Sequence, residues 1–340
     1  MHILIDINHP GQVHLFKHPV WEWQKLGHEV LIVAREKDVT VELLEAYKLP
    51  FVKGTSRRPG LLNLGLELIR KTALLVKIAR RFKPDVFVSL GSPPAAWASV
   101  ITRKPHITFT DTEHSIEQYW LYAPVTPVIY TPESFNRELG KKQLRYAGYH
   151  ELAYLHPKRF TPNLEVLQGL GLEDKPFFVV RLVSFEATHD VGQVGISQTE
   201  AEELVRILQS NGEIILSSER DKGLKSFNRQ FEIAPEHIHD LLAFATMYIG
   251  EGGTMATEAA VLGTPSIYIS PLSSGNWEEL ASRYGLVHEY RKLEEAVPRI
   301  KELLAKADLK QEWEKKRNKM LEEKIDVTDF IVKAVTEFDV

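Results

Sequence analysis

Short apolar runs alternate with longer segments of helical period along the chain, and this alternation predicts the fold class. Several runs are apolar at consecutive positions, which is typical of parallel strands covered by helices on both faces. The pattern predicts an α/β protein built from two doubly wound Rossmann-like units. The predicted strands are Ile3–Ile7, Glu29–Ala34, Val86–Leu90, His106–Thr110, Val128–Tyr130, Phe177–Leu182, Glu213–Ser217, Met247–Ile249 and Ser266–Ile269.

The length of 340 residues fits two domains of about 100–200 residues each. Residues 150–174 show little periodicity and contain prolines, so we place the linker there. Near the C-terminus, Leu309–Glu323 is predicted to be a helix rich in lysine and glutamate. We expect three parts: a first Rossmann-like domain at 1–155, a second at 156–320, and a C-terminal helix at 321–340 that packs back on the first.

The amino-acid composition excludes several kinds of functional site. The chain has no cysteine, which excludes disulfides, a thiolate nucleophile and cysteine-ligated metal sites. No apolar run approaches the roughly 18 residues of a membrane span, and the N-terminal pattern is that of a strand, so we expect a cytoplasmic protein. The net charge of −4 divides unevenly, because residues 1–150 carry +6 and the remainder −10. Two domains with different partners are typical of such a division.

Residues 66–83 combine an apolar stripe with clustered basic side chains, including Arg80 and Arg81. A basic amphipathic helix of this kind can lie on an anionic membrane surface. Alternatively, the apolar stripe packs on the sheet and the charges face solvent, and the pattern leaves both open. No nucleic-acid recognition motif accompanies the basic residues, so we expect no nucleic-acid partner.

The glycine-rich turn after the strand that ends at Ile249 is the most informative segment. Gly252 and Gly253 precede Thr254, which we expect to cap a helix. Glycines allow close approach of an anion, and a helix N-terminus offers free N–H groups, so a diphosphate fits here. Glu258, one turn inside the helix, is placed to accept hydrogen bonds from a ribose. The alternative is a tight turn with Glu258 exposed.

The loop after the first strand contains three histidines. We expect His14 to act as a general base, because a neutral imidazole takes a proton from a hydroxyl near neutral pH. Alternatively, His9, His14 and His18 form local hydrogen bonds. His14 and His18 are also one helical turn apart, as in a metal site, but the sequence offers no clear third ligand. We therefore expect no metal.

Other strand ends carry further candidates. Asp111, Glu113 and His114 lie in one loop, where neighbouring carboxylates raise a pKa and supply a general acid or base. The alternative is that Asp111 caps the next helix. Gly91 and Ser92 either bind an acceptor or turn the chain.

In the second half of the chain, Arg181 lies within an apolar strand and Ser184 follows it. Arg181 either neutralises a phosphate through its planar guanidinium or pairs with a buried carboxylate, and the sequence leaves both open. We place Arg181 and Ser184 at the nucleotide site.

Residues 252–254, 258–260 and 263–267 resemble the donor-nucleotide signature of GT-B glycosyltransferases. They also resemble the lipid II-forming N-acetylglucosaminyltransferase and the non-hydrolysing UDP-N-acetylglucosamine 2-epimerases. The resemblance implies that Gly252, Gly253 and Thr254 hold the diphosphate and that Glu258 holds the ribose. Gln12 stands where these glycosyltransferases often keep a histidine, which makes His14 the substitute base.

Residues 6–17, 90–92 and 110–114, together with the glycine-rich turn, resemble the family called domain of unknown function 354 over nearly the whole chain. The resemblance implies a GT-B fold, with two parallel sheets facing a central cleft. It implies an acceptor on the first, basic domain and a nucleotide sugar, expected to be UDP-linked, on the second.

Three hypotheses follow for function. The expected one is a glycosyltransferase of cell-surface polysaccharide or glycolipid synthesis that needs no cofactor and uses an anionic or lipid-linked acceptor. The second is an enzyme similar to the UDP-N-acetylglucosamine 2-epimerases, with Asp111, Glu113 and His114 near the sugar. The third is a non-catalytic nucleotide-sugar sensor or scaffold, which the glutamine at position 12 favours.

Overall fold

The computed structural model describes residues 1–37, 39–54, 61–183, 195–218 and 233–338. Of the predicted site residues, Ser184 lies outside these ranges. The chain divides into two compact units. Unit 1 comprises Met1–Tyr154 and Ile325–Val340, and unit 2 comprises Leu155–Lys324.

Each unit contains one sheet in which all neighbouring strands are parallel. Within the described residues, unit 1 has seven strands in the order β3-β2-β1-β4-β5-β6-β7, and unit 2 has five in the order β12-β11-β10-β8-β9. The strands are β1 (His2–Ile7), β2 (Glu29–Ala34), β3 (Phe51–Lys53), β4 (Val86–Leu90), β5 (His106–Phe109), β6 (Val128–Pro132), β7 (Gln143–Tyr146), β8 (Phe177–Leu182), β9 (Glu213–Ser218), β10 (Met247–Gly250), β11 (Ser266–Ile269) and β12 (Val287–Tyr290).

Helices connect most of the strands, and the prediction of an α/β protein with doubly wound units is confirmed. The helices are α1 (Pro10–Lys25), α2 (Thr40–Ala46), α3 (Leu61–Phe82), α4 (Pro93–Thr102), α5 (Ile116–Tyr122), α6 (Leu152–Leu155), α7 (Glu165–Leu170), α8 (Gln198–Gln209), α9 (Ile238–Phe244), α10 (Gly253–Leu262), α11 (Gly275–Ser282), α12 (Leu293–Leu304), α13 (Leu309–Glu323) and α14 (Val327–Thr336).

The sequence pattern missed three strands, β3, β7 and β12, and each lies at the edge of its sheet. An edge strand faces solvent along one side, so it lacks the continuous apolar run of a central strand. Strand β7, with the sequence Gln-Leu-Arg-Tyr, is half-exposed over most of its length. Hydrophobic patterning therefore predicts the centres of these sheets better than their edges.

Helix α3 contains most of the predicted basic segment. Leu75, Val76 and Ala79 on one face are buried in a cluster with Phe87 and other apolar residues of unit 1. This packing agrees with the interpretation in which the apolar stripe covers the sheet. One basic residue does not face solvent, because Lys71 is 3% exposed.

The C-terminal segment belongs to unit 1. Trp23 of α1 donates its indole N–H to the carbonyl of Val332 in α14 at 3.5 Å. The hydroxyl of Thr328 donates to the carbonyl of Ala153 at 2.6 Å. Helix α13 has the bounds that the sequence pattern predicts.

Candidate functional site

The glycine-rich turn of unit 2 joins β10 to α10 at the carboxyl edge of the sheet. Helix α10 begins at Gly253, with Gly252 as its N-cap, and no side chain caps the helix. The expectation that Thr254 caps this helix is wrong, because Thr254 is its second residue and is exposed. Gly263 ends the helix in the left-handed conformation, with φ of 83°. The start of α10 therefore offers backbone N–H groups at the edge where α/β proteins bind ligands.

Close packing within unit 2 accounts for the glycines of this turn. A Cβ atom at position 253 would lie 2.1 Å from Cζ2 of Trp277. The indole N–H of Trp277 in turn donates to the hydroxyl of Thr257 at 3.0 Å. A Cβ atom at position 250 would lie 2.3 Å from the carbonyl oxygen of Arg181. A bound ligand is not needed to explain either glycine, so the glycines by themselves do not identify a diphosphate site.

Arg181 lies beside this turn at the end of β8. Its Nη1 donates to the hydroxyl of Ser217, at the end of β9, with a distance of 2.5 Å. Its aliphatic stem packs on Gly252, where a Cβ atom would lie 3.1 Å from Cγ. The guanidinium is thus held at the carboxyl edge of the sheet by a neutral hydroxyl and stays positioned close to the start of α10.

Glu258 points into unit 2. Its Oε1 lies 3.0 Å from Nε2 of His239 on α9, and Glu258 and His239 are 4% and 1% exposed. The alternative in which Glu258 is exposed is wrong. Sequence reasoning missed His239, because nothing in the local pattern indicates that α9 brings it to α10.

Glu251 is a second buried carboxylate of unit 2, and sequence reasoning did not identify it. It is 4% exposed, and its two oxygens accept the backbone N–H groups of Val183 at 2.9 Å and Ile196 at 2.5 Å. These two residues flank the stretch 184–194, so Glu251 fixes the chain on both sides of it. An acidic residue between glycines directly after a buried strand was the available signal.

A buried ion pair lies at the corresponding edge of unit 1. Lys71 Nζ is 2.7 Å from Oδ1 of Asp6, and the two side chains are 4% and 1% exposed. Ser92 donates its hydroxyl to Oδ2 of Asp6 at 2.5 Å and also caps α4. The amide of Asn8 donates to the same Oδ2 at 3.0 Å. This network joins the loops after β1 and β4 to helix α3.

Gln12 also stabilises the loop after β1. Its side-chain oxygen accepts the backbone N–H of Asn8 at 2.7 Å. Helix α1 starts one residue after His9, whose Nδ1 accepts the N–H of Gly11 at 3.2 Å. Gln12 therefore has a structural role that is independent of any substrate.

His14 is 5% exposed and lies between two tyrosines. Its Nδ1 is 3.3 Å from the hydroxyl of Tyr47, and its ring stacks on Tyr154 with 5.4 Å between centroids. Lys17 Nζ lies 4.4 Å from the centre of the Tyr47 ring. Burial of this kind limits access of an acceptor hydroxyl to His14.

Asp111 forms an ion pair that the sequence did not predict. Its Oδ2 lies 3.0 Å from Nδ1 of His150, with 22% of the Asp111 side chain exposed against 7% for His150. Burial acts to raise the pKa of Asp111, but the charge and hydrogen bond of His150 and the hydroxyl of Thr112 outweigh it. The pKa of Asp111 is therefore below its ordinary value, and the side chain is a carboxylate at neutral pH.

Asp111, Glu113 and His114 lie in the loop after β5, as predicted, and the structure gives each of them a different environment. Oε1 of Glu113 accepts the backbone N–H of Asn136 at 2.8 Å, so the two carboxylates have different partners. Nε2 of His114 is buried without a hydrogen-bond partner among the described residues. The expectation that neighbouring carboxylates raise a pKa here is wrong for Asp111, whose partner is a histidine.

Tyr146 borders the Asp111–His150 pair. Its ring lies 6.3 Å from that of His150 at an interplanar angle of 16°. Burial raises the pKa of Tyr146 well above its ordinary value, and the carboxylates of Asp111 and Glu151 add to the effect. Tyr146 therefore stays protonated at neutral pH. Across the described ranges, no group of three histidine or acidic side chains is arranged to hold a metal ion.

Solved structures with a similar chain path span the whole protein. The UDP-GlcNAc 2-epimerase of Neisseria meningitidis, bound to UDP-GlcNAc, has a TM-score of 0.70 and 11% identity, covering 99% of this chain and 100% of that chain. The glycosyltransferase SsfS6 of Streptomyces sp. SF2575, complexed with thymidine diphosphate, has a TM-score of 0.61 and 14% identity, covering 98% and 100%. Two parallel Rossmann-like sheets and these likenesses define the class: the chain has the GT-B fold.

The family follows from the sequence itself. The family model described as "Protein of unknown function (DUF354)" matches residues 1–339, and the chain belongs to this family. An uncharacterized protein of Methanocaldococcus jannaschii is 26% identical over 288 residues, covering 79% of this chain and 82% of the relative. The family and fold predicted from the sequence motifs are confirmed.

In the part of the chain that the structure describes, no helix has both the length and the apolar character required to cross a membrane.

Proposed function

We propose that unit 2 binds the diphosphate of a nucleotide sugar, and that unit 1 binds an acceptor to which the sugar is transferred. One observation carries this proposal: the guanidinium of Arg181 is held beside the uncapped start of α10. A cation together with free helix N–H groups favours an anionic ligand. The structures with the same fold that are bound to UDP-GlcNAc and to thymidine diphosphate support the choice of ligand.

In this proposal, the backbone at Gly252, Gly253 and Thr254 and the side chain of Arg181 bind the diphosphate. Ser184 is kept at the same site on the basis of its sequence position. We assign Glu258 a positioning role, because its contact with His239 fixes α10 from the buried side. These assignments need no metal, since backbone N–H groups and a guanidinium stabilise the charge of the leaving diphosphate.

We assign the general base of unit 1 to Asp111 rather than to His14. Asp111 is ionised, and 22% of its side chain is exposed, whereas His14 is 5% exposed beneath two tyrosines. Asp111 would accept the proton of an acceptor hydroxyl while the oxygen of that hydroxyl forms a bond to the anomeric carbon of the sugar. The bond from that carbon to the diphosphate breaks, and the diphosphate leaves with the electron pair.

Calorimetric titration with UDP, GDP, dTDP and ADP tests the donor site. We expect micromolar binding of one nucleotide, and at least tenfold weaker binding, about 1.4 kcal/mol, in Arg181→Gln. Arg206→Gln is the matched control, because Arg206 is exposed on α8 of the same unit. If no nucleotide binds at millimolar concentration, the proposal fails.

A second candidate, a sugar-nucleotide epimerase, is favoured by one observation. The similarity to the Neisseria meningitidis epimerase, with a TM-score of 0.70, exceeds that to the Streptomyces glycosyltransferase, with 0.61. Incubation of the protein with UDP-N-acetylglucosamine alone distinguishes the two. The manno epimer or free UDP without an acceptor favours the epimerase, and binding without turnover favours transfer. Binding that persists without turnover across a panel of acceptors favours the non-catalytic sensor.

We also propose that unit 1 contacts anionic membranes through a groove between α3 and α4. The groove has a volume of about 760 Å³, and its lining includes Ile69 and Trp97, which are 66% and 40% exposed. Lys77, Arg80 and Arg81 also line it, and this combination of apolar and basic groups suits an anionic bilayer surface.

Co-sedimentation with phosphatidylcholine vesicles, with and without phosphatidylglycerol, tests this contact. We expect binding only to the anionic vesicles, and a loss of binding when Arg80 and Arg81 are both changed to Glu. Lys315 and Lys319, exposed on α13, are changed to Glu as the control pair. Equal sedimentation of both double variants would exclude the groove as the contact.

A further inference from the structure

A small polar cavity lies at the carboxyl edge of the sheet of unit 1, with a volume of about 190 Å³. We propose that it recognises the acceptor, and that the acceptor group it takes is a single hydroxylated ring or short polyol carrying a negative charge. This inference rests on the proposed function, because it supplies the acceptor class that the function leaves open.

The position follows from the topology of the sheet. Strands β1 and β4 are adjacent, and from them the chain builds the sheet outward in opposite directions, with β2 and β3 on one side and β5 to β7 on the other. Such a reversal opens a crevice between the loops at the carboxyl ends of the strands. Gln12, Gly91 and Thr110, which follow β1, β4 and β5, all line the cavity. The cavity therefore occupies the crevice that the strand order creates.

The lining is rich in groups that both donate and accept hydrogen bonds. Hydroxyls come from Thr110, Thr112, Ser115 and Tyr122, and an amide comes from Gln118. Burial raises the pKa of Tyr122 to about 12, so its hydroxyl keeps its proton at neutral pH. Paired donors and acceptors match the hydroxyl groups of a sugar or polyol.

Arg137 adds a positive charge to this lining. Its Nη1 donates to the carbonyl of Glu113 at 3.2 Å, which fixes the direction of the side chain at the cavity. A guanidinium keeps further N–H donors when one is used, and its planar arrangement suits phosphate or carboxylate. The expected ligand therefore carries an anionic group beside its hydroxyls.

The size of this cavity suits a ligand smaller than a nucleotide. Water occupies about 30 Å³ in the liquid, so 190 Å³ is equivalent to about six waters. Pockets for drug-sized ligands have about 300–1,000 Å³. The wall is preformed, because Tyr122, Phe135 and Leu139 are also buried in an apolar cluster behind it. A rigid pocket of this size selects one small group and loses little entropy on binding.

The cavity adjoins the loop that carries the proposed base. Thr110 and Thr112 line the cavity, and Asp111 lies between them in the chain with its side chain on His150. Glu113, whose carbonyl holds Arg137, is in the same loop. A ligand in the cavity would therefore contact the residues on both sides of Asp111 in the chain.

Ligand-observed NMR titration with glucose 1-phosphate, glucose and inorganic phosphate tests the inference. We expect glucose 1-phosphate to bind more tightly than either of the others. Arg137→Gln should weaken it at least tenfold and leave glucose unchanged. Lys141→Gln is the matched control, since Lys141 is exposed on the same connection between β6 and β7 and does not line the cavity. Tyr122→Phe keeps the packing, removes one hydroxyl and should weaken glucose and glucose 1-phosphate alike.

Equal affinity of the wild type and Arg137→Gln for glucose 1-phosphate would overturn the inference, as would the absence of binding at millimolar concentration. Loss of binding in Arg181→Gln instead would place the probe on unit 2 and overturn it as well. Nucleotide binding that depends on Arg181 without any binding of glucose 1-phosphate removes this inference alone. The reverse result removes the proposed donor site and leaves the cavity as a ligand site.

The same chemistry occurs in free sugar phosphates and in lipid headgroups, and competition distinguishes them. Phosphatidylcholine vesicles with and without phosphatidylinositol, and free inositol phosphate in a separate titration, are added to the complex with glucose 1-phosphate. Displacement by the phosphatidylinositol vesicles alone supports a lipid-borne acceptor, and displacement by free inositol phosphate alone supports a soluble one. Displacement by both vesicle types equally would show that the probe is not held by the cavity and would overturn the inference.

Discussion

The carboxyl edges of the two sheets are built from different groups. In unit 1 the edge contains ionisable side chains that pair with one another, as the buried Asp6 does with Lys71 and the partly exposed Asp111 does with His150. Within the described residues of unit 2, the edge contains packed glycines and an uncapped helix start, and Arg181 donates to the hydroxyl of Ser217. The ion pair of Glu258 with His239 lies further along α10. The first arrangement places paired charges at the ends of the strands, and the second places the backbone N–H groups of a helix start beside an arginine.

Buried charges at the two edges are also stabilised by different partners. A buried ion pair is sensitive to removal of one partner, because the other charge is then left without compensation. In unit 2 the buried carboxylate of Glu251 is instead satisfied by backbone N–H groups. The two units should therefore respond differently to the loss of a charge.

The largest effect is expected in unit 1. Lys71→Met leaves Asp6 buried without its cation and should lower the free energy of unfolding by about 3–5 kcal/mol. Lys77→Met, exposed on the same helix, should have little effect. Hydrogen exchange of peptides from β1 and β4, compared with peptides from β8 and β10, measures the change in each unit. A similar increase in exchange for both variants would contradict the role of the buried pair.

An intermediate effect is expected in unit 2. Glu251→Ala leaves the backbone N–H groups of Val183 and Ile196 without their acceptor. Ile196 is buried and Val183 is partly exposed, so water can replace the acceptor at Val183, and we expect a total cost of about 1–3 kcal/mol. Exchange should increase for peptides that contain these two residues. Glu278→Ala, which removes a less buried carboxylate of the same unit, is the control. Unchanged exchange in Glu251→Ala would show that hydrogen bonds from the backbone to Glu251 do not stabilise this edge of unit 2.

The smallest effect, at most about 1.4 kcal/mol, is expected when the pH is lowered by one unit from 6.5. Burial lowers the pKa of His106 in unit 1 to about 3, although Asp6 acts to raise it. The folded state thus keeps His106 neutral, whereas the unfolded chain takes up a proton below pH 6.5. Stability contributed by neutral His106 is therefore lost as the pH falls from 6.5 towards about 3.

Urea unfolding followed over this pH range measures the effect. His106→Gln should be less stable at neutral pH, because Ser89 and Thr126 each lose a contact at 2.9 and 2.8 Å, but its stability should vary less with pH. In unit 2, burial and the charges of Arg299 and Lys316 lower the pKa of His288 to about 4, so this unit should lose less stability. An identical pH dependence of stability for the wild type and His106→Gln would show that His106 is not the source of the acid sensitivity.

Much of the fold was predictable because its signals are local. The central strands are apolar on both faces, and α13 has a helical period with the predicted bounds. The edge strands β3, β7 and β12 were missed, since half-exposed strands carry no such pattern. The end of α10 also has a local signal, because Gly263 is left-handed with φ of 83° and a glycine adopts this conformation most easily.

The loops that form the candidate site follow from the predicted order of the strands, whereas the contacts within these loops do not. The rule that ligands bind at the carboxyl ends of parallel strands selected the loops after β1, β5 and β10, and these loops carry Gln12, Asp111 and Gly252. The same rule gave no indication of Trp277, which approaches Gly253 from α11. It also did not predict that Glu258 turns inward to His239.

The sequence by itself determined the alternation of strands and helices and the family, and it selected the loops that we propose as the site. Only the tertiary structure decided which charges meet. Lys71 and Asp6 are 65 positions apart, and Asp111 and His150 are 39 apart, yet each pair lies within 3.0 Å. Periodicity and caps are properties of neighbouring residues, whereas an ion pair depends on the packing of elements that are distant in the chain. The same packing decided that Asp111 is a carboxylate and that Glu258 is buried.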